Sequence, residues 1–206
     1  MGHDIVVPRR REFMKKYDPQ KHHRRSIRLP EYDYSQPGAY FITMVTHQRE
    51  PLFGSIVQGE MRLSAMGQVA EEHWRLIPEH FPQVELGAYV IMPNHVHGII
   101  VINGRSNASA FERTGTTCRG TTMSCPYEAR EKFGKPVKGS IPTIIRSYKA
   151  SVTRRIQREQ NATAIWQRNY YEHIIRNEEA HHRISLYIES NVARWVMDHE
   201  NPLKTT

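Results

Sequence analysis

Two histidines interrupt a long apolar run in the stretch Ala88-Tyr-Val-Ile-Met-Pro-Asn-His-Val-His-Gly-Ile-Ile-Val-Ile102. Alternate residues of a β-strand project from the same face of a sheet, so we expect His95 and His97 side by side and Val96 in the core. Two neutral imidazoles on one face form half of a site for a divalent metal ion. The other interpretation, two surface histidines on a half-buried strand, stays open on this pattern alone.

The apolar patterns around this stretch predict both strands and helices. Strands are expected over 38–47, 56–63, 84–91 and 95–102, and the last two would also fit one strand with an irregular middle. Helices are expected from an N-cap at Ser64 to Pro78, over 141–156, and from an N-cap at Asn177 to about Met197. Residues 165–175 are expected to form a short strand or an extended segment before the last helix.

The charge of the chain predicts an anionic partner. The 206 residues include 29 Lys and Arg against 21 Asp and Glu, a net charge of +8. Nucleic acid is therefore the first expectation and a membrane surface the second. Basic clusters dominate residues 1–29, which we interpret as a flexible arm with Arg24 and Arg25 among its DNA contacts.

The remainder of the chain is expected to form one folded domain over 30–200 with a short tail at 201–206. Residues from about 103 to 139 are polar and lack a regular apolar pattern, which predicts a flexible insertion or a binding loop.

Cysteine content and hydropathy predict a cytoplasmic protein. Cys118 and Cys125 are too few for a disulfide framework, and their spacing is unusual for zinc ligands. No apolar run approaches the ~20 residues of a membrane span, and the first residues show no apolar signal-peptide core. We therefore expect no membrane-spanning segment, and we take nucleic acid rather than a membrane as the partner.

Two polar residues of the last predicted helix carry side chains suited to chemistry. Tyr187 and Asn191 are four positions apart, so they are expected on one helix face about one turn apart. The amide oxygen of Asn191 can serve as a third ligand beside two imidazoles, and the phenol of Tyr187 can act as a nucleophile. Core packing of Tyr187 and a helix-end role for Asn191 are the structural alternatives.

The helix predicted over 141–156 has a basic side. Its candidates for DNA contact are Arg146, Lys149, Arg154 and Arg155, although a solvated helix face would show the same pattern. Tyr148 on this helix is the alternative nucleophile. Because Val152, four positions later, cannot bind a metal, we interpret Tyr148 as a packing or base-stacking residue.

Three blocks of this sequence resemble those of a known family. Met92-Pro-Asn-His-Val-His-Gly98 resembles the HUH motif, His-hydrophobic-His, of single-tyrosine transposases. Trp166-Gln-Arg-Asn-Tyr-Tyr-Glu-His-Ile-Ile-Arg176 and Tyr187-Ile-Glu-Ser-Asn191 resemble later blocks of the REP-associated tyrosine transposases. The resemblance extends from about Gly38 to Trp195, and the three blocks in this order are strongly specific.

The resemblance implies a fold and an activity. The fold would be a single α+β domain with a central antiparallel sheet of the ferredoxin or RRM type and helices packed on it. The activity would be metal-dependent nicking and joining of single-stranded DNA at repeat hairpins, with Mg²⁺ or Mn²⁺ and a 5′-phosphotyrosine intermediate.

The resemblance also assigns roles by position. His95 and His97 would be catalytic metal ligands, Asn191 the third ligand and Tyr187 the nucleophile. Glu172 and His173 match a family block beside the active site, where they would orient a ligand or a water molecule, or they form a surface pair.

Two other functions fit the same residues. One is a catalytically idle DNA-hairpin-binding protein, and the other is a metal-dependent nuclease that uses water, with Tyr187 in a structural role. A covalent protein–DNA adduct would separate transposition chemistry from both. The oligomeric state stays open between monomer and homodimer.

Overall fold

An antiparallel sheet forms the centre of the fold. The computed structural model describes residues 32–104, 137–160, 162 and 164–195. The strands of the sheet are β1 Gly38–Val45, β4 Val84–Met92, β5 His95–Ile102 and β6 Tyr171–Ile175. Their order in the sheet is β4-β5-β1-β6. The expected α+β class with a central antiparallel sheet is therefore confirmed.

A small hairpin, four α-helices and a 3-10 turn at His47–Arg49 complete the secondary structure of the described residues. The hairpin consists of β2 Gly54–Val57 and β3 Glu60–Leu63. The helices are α1 Ala65–Arg75, α2 Ile77–His80, α3 Ile141–Gln160 and α4 Glu178–Glu189. The N-caps predicted at Ser64 and Asn177 are confirmed, because their side chains accept hydrogen bonds from Gly67 N (3.1 Å) and Ala180 N (2.8 Å).

Different helices cover the two faces of the sheet. One face, with Ile42 and Val96 among its buried residues, packs against α1 and α3 in the main core. The other, with Phe41 and Ile99, packs against α4 through Ile188. We refer to them as the α1/α3 face and the α4 face. Because neighbouring residues of a strand alternate between faces, each side chain of β1, β5 and β6 belongs to one of these two environments.

The region 56–63 is a hairpin and not the single strand that was predicted. Gln58 and Gly59 have φ angles of +53° and +80°, which is the pair of positive angles that a tight two-residue hairpin turn requires. The predicted helix to Pro78 is likewise divided, with Leu76 between α1 and α2. Both expectations failed because short turns inside an apolar pattern leave its periodicity almost unchanged.

The last helix ends at Glu189 and not near Met197. Ser190 Oγ donates to Tyr187 O (3.2 Å), and Asn191 N donates to Ile188 O (3.2 Å), three residues back. The Ser190 hydroxyl competes with the backbone for the Tyr187 carbonyl, and the bond from Asn191 N is of the 3-10 type. Together these two hydrogen bonds end the α-helix. Turns continue to Trp195, whose ring contacts that of His95 on β5.

Several expectations fall outside the residues that the structure describes. They concern the arm at 1–29 with Arg24 and Arg25, nearly all of the insertion at 103–139, and the tail at 201–206. Within the described ranges, no helix combines the length and the apolar character needed to cross a membrane.

Candidate active site

Strand β5 presents the two histidines on the α4 face. The ring centroids of His95 and His97 lie 4.4 Å apart, and the residues are 0% and 4% exposed. Val96 between them is fully buried on the α1/α3 face. The predicted arrangement of two imidazoles on one face is thus present, and it is buried and not on the surface.

Each imidazole is held through its Nδ1 atom. His95 Nδ1 lies 2.9 Å from Asn94 Oδ1, and His97 Nδ1 lies 2.8 Å from Thr43 Oγ1. Asn94 Nδ2 donates to Arg49 O (3.1 Å), which fixes the orientation of that amide. Because Asn94 Oδ1 can only accept, the proton of His95 belongs on Nδ1 and the lone pair on Nε2. Orientation through Nδ1 is the arrangement that prepares Nε2 as a metal ligand.

Helix α4 brings Tyr187 over the histidines. Its hydroxyl oxygen lies 3.4 Å from His97 Nε2, and the two ring centroids are 5.4 Å apart. The ring of Phe41 supports Tyr187 in an edge-to-face contact with a centroid distance of 6.2 Å and an interplanar angle of 84°. Tyr187 is half-buried, so its side chain keeps some contact with solvent.

The chain beyond α4 places an indole against His95 and also carries a buried amide. Trp195 lies against His95 with a ring-centroid distance of 6.0 Å. Asn191 is 2% exposed, and its Oδ1 atom is buried with no hydrogen-bond partner among the described residues. A buried oxygen without a partner costs free energy that a bound cation would remove.

These donors fit a divalent metal ion. Two imidazole nitrogens and one amide oxygen are ligands that first-row divalent ions accept, and Mg²⁺ accepts the oxygen. In the described ranges, no group of three or more His, Cys, Asp or Glu side chains is arranged to hold a metal. The third ligand that the resemblance implies, Asn191, is the buried amide just beyond α4.

The expectation for Glu172 is wrong, and the reason is the alternation of β6. Glu172 pairs with Ile42 in the sheet register, so it is buried on the α1/α3 face and turned away from the histidines. His173 pairs with Phe41 and lies exposed on the α4 face, the same face as the histidines. Of the two residues, only His173 shares the environment of the site.

The alternative nucleophile, Tyr148, lies in the main core. Its hydroxyl donates to Ala70 O (3.0 Å), and its ring contacts Trp74 edge-to-face at 5.4 Å. Burial raises the pKa of the Tyr148 phenol. Because α3 covers the α1/α3 face, Tyr148 is separated from the histidines by the sheet.

The basic residues predicted to contact DNA differ in their surroundings. Arg146 and Arg154 are exposed on α3, and Arg155 forms an ion pair with Glu159. A shallow cleft of about 300 Å³ in this region is lined by His73, Ser151, Arg154, Arg155 and Arg158. The cleft is a cationic surface on the side of the sheet opposite the histidines.

Lys149 has a structural role that the sequence did not reveal. Its Nζ atom donates to Gln167 O (2.7 Å) and Asn169 O (3.0 Å), and it lies 5.6 Å from the ring centroid of Trp166. The ammonium group therefore ties α3 to the segment that leads into β6. Burial lowers the pKa of Lys149 to about 8.

The lowered pKa of Lys149 predicts a pH-dependent stability. Between about pH 8 and about pH 10.4 the unfolded chain binds more protons at this residue than the folded chain, so the free energy of unfolding rises with pH in that window. Across this window the free energy of unfolding of the wild type should rise by about 1 kcal/mol relative to that of Lys149→Met. This value is smaller than the full pKa shift would give, because the side chain is only half-buried and solvent screens its charge. Urea unfolding across this pH range measures the difference. Lys138→Met, at an exposed lysine, is the matched control and should follow the wild type.

Three supporting residues were missed in the sequence analysis. Thr43 and Phe41 reach the site because β1 pairs with β5, with Thr43 opposite His97 and Phe41 opposite Ile99. No local pattern in the sequence specifies that register. Asn94 was part of the HUH block, but its role follows only from the turn between β4 and β5.

This chain is 39% identical over 183 residues to a protein described as uncharacterized. That protein comes from Haemophilus influenzae (strain ATCC 51907 / DSM 11121 / KW20 / Rd). The match covers 89% of this chain and 96% of that protein. The chain belongs to the family of this Haemophilus influenzae protein. A search of protein-family models gives no match.

A solved structure supports the fold at the level of the whole domain. A REP-associated tyrosine transposase bound to a REP hairpin matches 81% of this chain and 73% of its own, with 17% identity and a TM-score of 0.51. At this identity the similarity establishes a shared fold. The fold implied by the resemblance to the REP-associated tyrosine transposases is therefore confirmed.

Proposed function

We propose that the protein is a metal-dependent enzyme that nicks and rejoins single-stranded DNA at repeat hairpins, with Tyr187 as the nucleophile. The observation that carries the proposal is the 3.4 Å distance from the Tyr187 hydroxyl to Nε2 of His97, in a histidine pair oriented through Nδ1. The shared fold with a transposase bound to a REP hairpin and the net charge of +8 support it.

The ligands of the metal would be His95, His97 and Asn191. Mg²⁺ or Mn²⁺ bound there would withdraw charge from a non-bridging phosphate oxygen and ease departure of the leaving oxygen. Thr43 and Asn94 hold the imidazoles in the orientation that this binding needs.

Tyr187 performs the covalent step in this proposal. Its hydroxyl oxygen attacks the phosphorus, so a tyrosine–phosphorus bond forms while the bond from phosphorus to the 3′-oxygen breaks. The phenolic proton passes to solvent, and the departing 3′-oxygen takes a proton from solvent. The result is a 5′-phosphotyrosine and a free 3′-hydroxyl. Attack by a 3′-hydroxyl on the phosphotyrosine reverses these bond changes and joins strands without another energy source.

The basic surface of α3 would bind the DNA backbone away from the reacting bond. Arg146 and Arg154 are exposed there, and the arginines that line the adjacent cleft extend the surface. Phosphate contacts of this kind add affinity without reading sequence, and they weaken as salt rises.

A cleavage assay tests the proposal. Labelled single-stranded hairpin DNA from repeats flanking the gene is mixed with the protein in Mn²⁺ or in EDTA, and the products are separated under denaturing conditions. We expect a protein–DNA band in Mn²⁺ and none in EDTA. Cleaved DNA without that band would favour the nuclease that uses water, and bound but intact DNA would favour the idle hairpin-binding protein.

A further inference from the structure

Tyr171 is a solvent-exposed aromatic residue on the face of the sheet that carries the histidines. It is 49% exposed and begins β6, the edge strand. Thr43 pairs with His97 on one side and with Tyr171 on the other, so all three lie on the α4 face. Two strand spacings separate the backbones of Tyr171 and His97, which is about 10 Å.

The ring of Tyr171 is held in position by the site itself. It contacts Phe41 edge-to-face, with a centroid distance of 6.3 Å and an interplanar angle of 69°. Phe41 in turn contacts His97 at 5.3 Å and Tyr187 at 6.2 Å. The contact with Phe41 leaves about half of the Tyr171 surface open and links its ring, through Phe41, to the reacting groups. A ring that is already oriented lowers the entropy cost of binding a flat ligand.

The surroundings of Tyr171 favour a nucleotide as that ligand. Arg168, His173 and Arg176 are exposed along the same short segment, and His173 shares the face of Tyr171. Aromatic rings interspersed with cationic side chains bind unpaired nucleic acid, since the ring stacks on a base and the cations contact phosphates. A flat apolar partner would not explain the two arginines, and phosphate alone would not explain the exposed ring.

We propose that Tyr171 is a stacking platform for an unpaired base of the DNA strand, beside the phosphate that Tyr187 attacks. The inference rests on the proposed function, and it adds a positioning residue that holds the single strand across the α4 face. Its role is played by the ring, so the hydroxyl of Tyr171 is dispensable. In this proposal Tyr171 contacts a base, and cationic side chains contact the phosphates of the same strand.

The test uses the full chain and single-stranded hairpin DNA with 2-aminopurine placed in turn at each unpaired position beside the stem. The variants are Tyr171→Ala, Tyr171→Phe and, as a control at an equally exposed apolar residue, Leu186→Ala. The readouts are the quenching of 2-aminopurine fluorescence, the Kd over a range of salt concentrations, the adduct yield and the oligomeric state. Thermal unfolding verifies that each variant is folded.

We expect Tyr171→Ala to weaken DNA binding about tenfold and to remove quenching at one unpaired position. The slope of log Kd against log salt should stay unchanged, because no phosphate contact is lost. Tyr171→Phe and Leu186→Ala should retain both the affinity and the quenching of the wild type.

The inference is overturned if Tyr171→Ala binds and quenches like the wild type, if Tyr171→Phe is as weak as Tyr171→Ala, or if the only change is in oligomeric state. In each of these cases a wild type that still forms the adduct leaves the proposed function intact. A wild type that binds no single-stranded DNA overturns both proposals.

Discussion

Tyr187→Phe is expected to abolish the covalent protein–DNA adduct, with a loss of at least about 1000-fold, the order found when an enzyme loses its covalent nucleophile. The substitution removes only the hydroxyl oxygen that lies 3.4 Å from His97 Nε2. The aromatic contacts with Phe41 and His97 involve the ring and should persist. DNA affinity and the free energy of unfolding are therefore expected to remain close to those of the wild type.

The control for this experiment is a tyrosine in the core. Tyr148→Phe removes a buried hydrogen bond to Ala70 O and should lower the free energy of unfolding by about 1 kcal/mol, with the adduct retained. Mass spectrometry should place the DNA modification in the tryptic peptide 184–194, which contains Tyr187. An adduct that persists in Tyr187→Phe, or maps to another peptide, would show that the nucleophile is assigned wrongly.

Much of the fold could be predicted because local patterns reflect local physics. The caps at Ser64 and Asn177 are short-range hydrogen bonds, and the alternation around Val96 is a property of any strand. The end of α4 could not be predicted in the same way. It depends on a side-chain bond from Ser190 to a backbone carbonyl that competes with a helix whose apolar pattern continues.

The candidate site was predictable only where its residues are close in sequence. The spacing of His95 and His97 places them on one face, but the contribution of Thr43 depends on a register between strands more than fifty residues apart. Glu172 shows the converse. It matches a family block by position, yet one step along β6 is enough to turn its side chain to the other face.

The face opposite the histidines also constrains the site, and Gly98 is the residue where this should be measurable. It follows the pair on β5, and a Cβ atom at this position would lie 2.3 Å from Cζ2 of Trp74, which is fully buried in α1. We expect Gly98→Ala to lower the free energy of unfolding by about 3 kcal/mol, the upper part of the usual range for overpacking a core. Gly104→Ala is the matched control and should cost less than about 1 kcal/mol. Among the described residues its Cβ would meet only two side-chain atoms of Pro37, at 3.2 and 3.6 Å.

A double-mutant cycle tests whether Gly98→Ala destabilises the protein through its clash with Trp74 or because β5 accepts no side chain at this position. The φ angle of Gly98 is not among the positive values found at other glycines, so its backbone conformation accepts an alanine. In a Trp74→Leu background, which removes the indole from the space that the new methyl group needs, Gly98→Ala should cost less than about 1 kcal/mol. Chemical unfolding of the four proteins measures this coupling. Equal costs in the two backgrounds would mean that the indole is not what excludes a side chain after the histidine pair.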